Sequence, residues 1–390
     1  MKKLLLFTIM ACGCLLATGQ YTRQGKASQD LGVTLNPAFS KAAKLDSILK
    51  RYAPAILPAV SIAVYSEAEG WWASAAGYAN VKQKTLMNNY HLQYLQSVTK
   101  MYMAAAILLL KEKGKISLDS SINKYLPRSY RQYIKEAEKI TVRMLLNHTS
   151  GIREYNENPD FLSKALLHPL ENFTPLDCVK AIAYQDLEFA PGSKYRYRNT
   201  NYLLLALICD ALTGDHANFI KRNIFMALGL RNSYYGNSPN YLKGLNLPES
   251  YWDAFNSGIP INITPFQKMT VECSKGDDGV VCTTVDAILF LKGMMEGKLL
   301  KPESMKEVLN FVKDENGNNR YGMGMIYFDL EGLPAYGHGG GGIGAGCGLL
   351  YIPNLKTYVF FSTNLGVFAE GKLPDKAGEM RNEILKALMQ

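Results

Sequence analysis

Ser97 and Lys100 stand three residues apart in SVTKMYMAAAILLLKEKG, where an apolar run opens. On a helix that spacing puts both on one face, one turn apart. The backbone N–H of a residue at a helix start is free, and the dipole favours negative charge there. A serine hydroxyl is a poor nucleophile until a base takes its proton. A lysine serves as that base when desolvation and nearby positive charge keep it neutral. The plainer reading is an N-cap serine beside a solvated lysine, and S-x-x-K alone does not decide between the two.

Two further stretches carry usable side chains. In FAPGSKYRYRNTNYLLLALI, Tyr197-Arg198-Asn199 stand between a Pro-Gly turn and a helix. A tyrosine hydroxyl beside cations can have a lowered pKa and relay protons. An asparagine amide can hold both a lysine and a substrate carbonyl. Arg198, if turned inward, narrows the pocket or adds an anion contact. Near the end, GHGGGGIGAGCG contains His338, which can donate to a substrate carboxylate or a proton chain. Gly340 and Gly341 would let a substrate lie against a strand and receive a backbone N–H. With the Ser97 N–H this makes an oxyanion hole. The plainer readings are an Asn N-cap with a packed tyrosine, and a glycine-rich bend with an incidental histidine.

The glycine run also fits G-x-G-x-x-G twice, but a dinucleotide loop must leave a strand and open a helix. Here Leu349–Ile352 and Thr357–Asn364 read as two strands about a Pro-Asn turn, so no helix opens. No G-K-[ST] follows a glycine loop, and no G-x-S-x-G is present. The five histidines show no metal-ligand spacing, so neither a metal nor a cofactor is expected.

The elements that must position these residues alternate in kind. Phe39–Tyr52 reads as an amphipathic helix, and Ser61–Ser66 with Gly70–Val81 as a strand hairpin. Helices are expected at Ser97–Lys113, Thr141–Asn147, Pro175–Tyr184, Thr200–Leu212 and His216–Leu228. Residues 231–275 read as irregular. Helices resume at Thr284–Gly297 and Pro302–Val312. Strands follow at Tyr321–Asp329, Ala335–Gly340, Cys347–Ile352 and Thr357–Asn364, then a helix at Lys376–Met389. Strands flanking a helical middle imply an antiparallel sheet covered by the terminal helices, with an all-α domain inserted. The α/β part takes about 36–81 and 276–390, and the insertion about 82–275.

The 390 residues suffice for a sizeable core. MKKLLLFTIMACGCLLATGQ reads as a signal peptide over 1–19, with lipid attachment at Cys12 or Cys14 as a second reading. An exported, periplasmic or extracellular protein is expected. No other apolar run is long enough to span a bilayer. Loss of Lys2 and Lys3 takes the net charge from +9 to +7. The remaining basic residues form no run interleaved with aromatics, which argues against nucleic acid. Of the seven cysteines five lie beyond the leader; Cys273 and Cys282 are one conceivable pair.

S-x-x-K, then Y-x-N about a hundred residues on, then H-x-G on a late strand, resembles the penicillin-recognising serine hydrolases. The Y-x-N form is similar to the class C β-lactamase and serine DD-carboxypeptidase branch. LLNHTSGI (145–152), GVVCTTVDAILFLKGMMEGKLL (279–300) and YGMGM (321–325) look like that family too, over about residues 40–390. The resemblance implies a β-lactamase/transpeptidase-like fold with Ser97 as the acylated nucleophile. It implies that Lys100 and Tyr197 share the proton transfers, and that Asn199 positions the substrate. His338 takes the place of the K-T-G lysine, and Gly341 donates the second oxyanion N–H. Gln96 before the nucleophile and Arg198 inside Y-x-N depart from the usual pattern. The implied substrate is a peptide of D-Ala-D-Ala type, a β-lactam or an ester; a protein that binds wall fragments without turnover is the alternative of another kind.

Overall fold

The structure, a computed structural model, describes residues 30–390. The expected leader, with Cys12 and Cys14, lies outside the described residues. The helices that matter below are α1 (Ala42–Tyr52), α2 (Thr99–Glu112), α3 (Asn199–Thr213), α4 (Thr284–Met295) and α5 (Lys372–Met389). The main strands are β1 (Ala59–Ser66), β2 (Gly70–Asn80), β3 (Ile326–Leu330), β4 (Leu333–Gly341), β5 (Gly346–Ile352) and β6 (Thr357–Thr363).

One antiparallel sheet of nine strands runs in the order Thr85–Leu86, β2, β1, β6, β5, β4, β3, Asn319–Tyr321, Val312–Lys313. The N-terminal hairpin and the C-terminal strands meet where β1 pairs with β6, from Val60↔Thr363 to Ser66↔Thr357. AVSIAVYS and TYVFFST are rich in β-branched and aromatic residues, which suit a strand packed on both faces. On one face Val60, Ile62, Val64, Val359 and Phe361 pack with Leu45 and Leu49 of α1 and Ile384 and Leu388 of α5. On the other, Ala63, Tyr358 and Phe360 join the core built around α2, α3 and α4. Both terminal helices bury one stripe, as an amphipathic pattern requires. By contrast α2 and α3 are buried nearly all round, because MYMAAAILL and YLLLALIC hold no charge.

Some elements differ from the sequence expectation. The helix expected from Ser97 starts at Thr99, after a 3-10 turn over Gln96–Val98. Within 231–275, Thr264–Cys273 is a helix with Pro265 in its first turn, and Tyr251–Trp252 pairs with Ile261–Asn262. Asn/Pro-rich flanks hid that helix in the sequence. His216–Leu228 is helical but carries a π-turn at Lys221–Phe225. Cys273 and Cys282 are unbridged, as are the other three cysteines of the described residues. Among those residues no single helix is long and apolar enough to cross a membrane.

Candidate active site

Backbone strain marks the turn that carries Ser97. Gln96 holds φ +48°, the left-handed region that non-glycine residues seldom enter. Val98 N–H donates to Leu95 O at 3.0 Å, and the Thr99 N–H turns back to Gln96 and Ser97. No backbone bond of this turn uses the Ser97 N–H. Ser97 stays partly exposed between buried neighbours.

Lys100 is fully buried at the base of that turn. Its Nζ lies 3.0 Å from Ser97 Oγ, 2.7 Å from Asn199 Oδ1 and 2.9 Å from Asp277 O. Burial pushes the Lys100 pKa below its ordinary value, against the opposing charges of Asp277, Asp278 and Glu154. Two of its three partners, the Asn199 and Asp277 carbonyls, can only accept. A neutral amine therefore spends both N–H groups on them and turns its lone pair to the Ser97 hydroxyl.

Asn199 is the first residue of α3, and a carboxylate holds its backbone: the Asn199 N–H donates to Glu154 Oε2. Glu154 is 6% exposed, and burial pushes its pKa up to about 7. The Asp277 carboxyl is buried too; its Oδ2 accepts from Tyr155 Oη at 3.2 Å, while Oδ1 takes no side-chain hydrogen bond from the described residues. Asp278, the next residue, keeps part of its surface open; burial and the Asp277 charge push its pKa up to about 7.

Tyr197 stands beside this group, with Lys100 Nζ 5.0 Å from its ring centre. Its pKa is not lowered, contrary to the expectation from a cationic cluster. Burial raises it far above the ordinary value, and the Ser97 hydroxyl offsets this only in part. Tyr197 is a neutral phenol, suited to donating a proton. His338 also departs from its expected part. Its Nδ1–H donates to Gly339 O, and Nε2 accepts from Tyr321 Oη at 3.0 Å. Burial, then the Lys100 charge, lowers its pKa to about 3, so the ring is neutral with both nitrogens occupied. It braces β4 against Tyr321. Arg198 is turned away from the pocket: Nε and Nη2 grip Glu188 at 3.1 and 2.7 Å, and Nη1 meets Glu157 at 2.9 Å. A buried arginine needs such partners.

The glycines of β4, with Gly342 just past its end, permit close approach. A Cβ on Gly340 would lie 2.5 Å from Leu95 O and 2.6 Å from Cys347 Sγ, and one on Gly342 would lie 2.3 Å from Gln96 Oε1. So Gly340 serves to seat the turn that carries Ser97 on the strand, while Gly341 stays exposed at the strand end. The structure thus gathers Ser97, Lys100, Tyr197 and Asn199, with β4 alongside.

His148, Glu154, Asp277, Asp278 and Tyr321 escaped the sequence reading as individual site residues. His148 and Tyr321 sit in LLNHTSGI and YGMGM, the available signal. The His148 Nδ1 accepts from Arg198 N–H at 3.2 Å, and its ring packs 4.4 Å from that of Tyr197. The acids offered only the adjacent pair in GDDG. Elsewhere, Asp210, Asp215 and His216 bring ligand atoms within 4.8 Å of one another. Both His216 nitrogens are already bonded, to Asp210 and Tyr235.

Known proteins resemble this chain in sequence and in fold. Penicillin-binding protein 4* of Bacillus subtilis is 26% identical over 315 residues, which cover 73% of this chain and 64% of that protein. This chain thus spans less than two thirds of that relative. A D-stereospecific amidohydrolase from Streptomyces superposes with a TM-score of 0.71 at 24% identity, over 83% of this chain and 94% of that one. D-amino acid amidase from Ochrobactrum anthropi, complexed with L-phenylalanine amide, gives 0.75 at 21% identity, over 90% and 98%. Those two show the shared fold. The family model described as Beta-lactamase matches residues 49–378, and the chain belongs to that family of penicillin-recognising serine hydrolases.

Proposed function

We propose that this chain is an acyl-serine hydrolase that cleaves a small amide or ester through Ser97. The observation that carries it is the set of three bonds at Lys100 Nζ, two of them to groups that only accept. Ser97 Oγ forms the bond to the substrate carbonyl carbon as its proton passes to neutral Lys100. The carbonyl oxygen takes the negative charge, facing the N–H groups of Ser97 and Gly341. When the C–N or C–O bond breaks, the leaving group receives the proton that Lys100 took from Ser97, passed on directly or through the Tyr197 phenol, and Lys100 is neutral again. Water then attacks the acyl-enzyme, Lys100 accepts its proton, and Ser97 regains its own as the acid departs. An envelope location, read from the leader, belongs to the same proposal, as does the peptide substrate the resemblance implies.

The test is intact mass during p-nitrophenyl ester turnover. An acyl adduct should form on the protein, and Ser97→Ala should remove both the adduct and the turnover, by at least about 10³-fold. Undiminished turnover in Ser97→Ala would sink the reading.

A further inference from the structure

The segment 277–280 is pinned along the nucleophile turn. Asp277 O accepts from Lys100 Nζ at 2.9 Å, and Val280 N–H donates to Thr99 Oγ1 at 3.1 Å. Val280 O accepts from Leu95 N–H at 3.1 Å. Asp278 lies between these pins. It directly follows the carbonyl that Lys100 holds, so its backbone lies along the turn that carries Ser97. Oδ1 accepts from Gly279 N–H at 2.6 Å, and Oδ2 takes no hydrogen bond from the described residues. Like Ser97, Asp278 remains partly exposed.

The basic groups nearby are already engaged. Arg198 is held by Glu188 and Glu157. Lys275 Nζ donates to Glu272 O at 2.7 Å. Lys100 is buried beneath the nucleophile, and His338 has both nitrogens bonded. A substrate carboxylate therefore finds no free cation among these groups, while a substrate cation finds a carboxylate. Fields of this sign select charged ligands by attraction and by repulsion.

We infer that Asp278 anchors a free ammonium group on the acyl part of the substrate, so that amides or esters of unblocked amino acids are preferred over N-acylated ones. The inference rests on the Ser97 hydrolase reading. In an aminoacyl substrate the ammonium nitrogen is two bonds from the carbon that Ser97 attacks. Its anchor must therefore border the nucleophile, as the residue after the Lys100-bound carbonyl does. An N-acylated substrate places an uncharged amide at that point and leaves Asp278 unpaired.

The test compares kcat/KM at pH 7.5 for alanine and phenylalanine p-nitroanilides, in both enantiomers, each unblocked and N-acetylated. Fluorophosphonate labelling of Ser97 reports a competent site in every sample. The unblocked member should win by at least tenfold in the enantiomer cleaved. Asp278→Asn should reduce that ratio tenfold or more, through the KM of the unblocked substrate, and Asp278→Glu should restore part of it. N-acetyl substrates that match or beat the unblocked ones in the wild-type protein would overturn the inference, even if Asp278→Asn fails to fold. So would an Asp278→Asn protein that labels normally and keeps the ratio. Cleavage of none of the substrates, with Ser97 also unlabelled, would overturn the hydrolase reading and this inference with it.

Discussion

A lysine acts as a base only if it can shed a proton, and an arginine cannot do so at ordinary pH. Lys100→Arg should therefore lower kcat/KM for a p-nitrophenyl ester by about 10³-fold. A thermal melt alongside the assay separates lost chemistry from lost fold. Glu154 gives a second prediction at this scale. Its pKa rises from 4.5 to about 7 on folding. Between those values the folded state binds the proton more tightly, so the stability that this group contributes is complete below pH 4.5 and is lost as pH rises through 7. Glu154→Gln cannot ionise and keeps an acceptor for the Asn199 N–H. Its urea midpoint should match wild type near pH 4.5 and exceed it at pH 8, by on the order of 3 kcal/mol. Equal midpoints at both pH values would contradict this. Ser97, Lys100 and Asn199 were legible because their spacing is local and their chemistry is tied to residue type. Glu154 and Asp278 were not, because a carboxylate acquires its role only from what burial brings near it.

At the scale of elements, β4 and the turn at Gln96–Val98 act as one unit. Gly340→Ala places a Cβ 2.5 Å from Leu95 O, whereas one on Gly339 meets nothing within 4 Å. Gly340→Ala should lower the melting temperature, at a cost of about 1–3 kcal/mol, and displace the turn enough to depress ester hydrolysis. Gly339→Ala should melt close to wild type. If the two variants behave alike, close packing of the turn on β4 is not what Gly340 supplies. The flanking strands were legible because β-branched runs between turn residues announce them, and α3 because it carries an unbroken apolar run. The 3-10 turn before α2 was not, since the left-handed Gln96 is imposed by its neighbours rather than by its own preference. The same holds for Thr264–Cys273, whose helical pattern is short and bordered by loop-like residues.

At the scale of the whole molecule, a sheet buried on both faces supplies the stability that cross-links supply in small disulfide-rich domains. The five described cysteines are free. Dithiothreitol should leave the thermal midpoint unchanged, whereas a bridge would add about 2–4 kcal/mol and its reduction a drop of several degrees. Antiparallel sheet, helical middle and the joining of the two chain ends in one sheet were legible from the order of elements, but not which strands meet there, since the pairing of β1 with β6 depends on contacts three hundred residues apart. The bare strand beside Ser97 has a further consequence, for how such a site can change over evolutionary time. On Gly337, Gly340 and Gly342 any side chain meets the protein itself. Those three positions are thus closed to mutational drift, and new substrate preferences must arise elsewhere, at glycines with room beside them such as Gly339 or at partly exposed positions such as Asp278. A lineage can therefore alter selectivity at such positions while the close packing around Ser97 is kept.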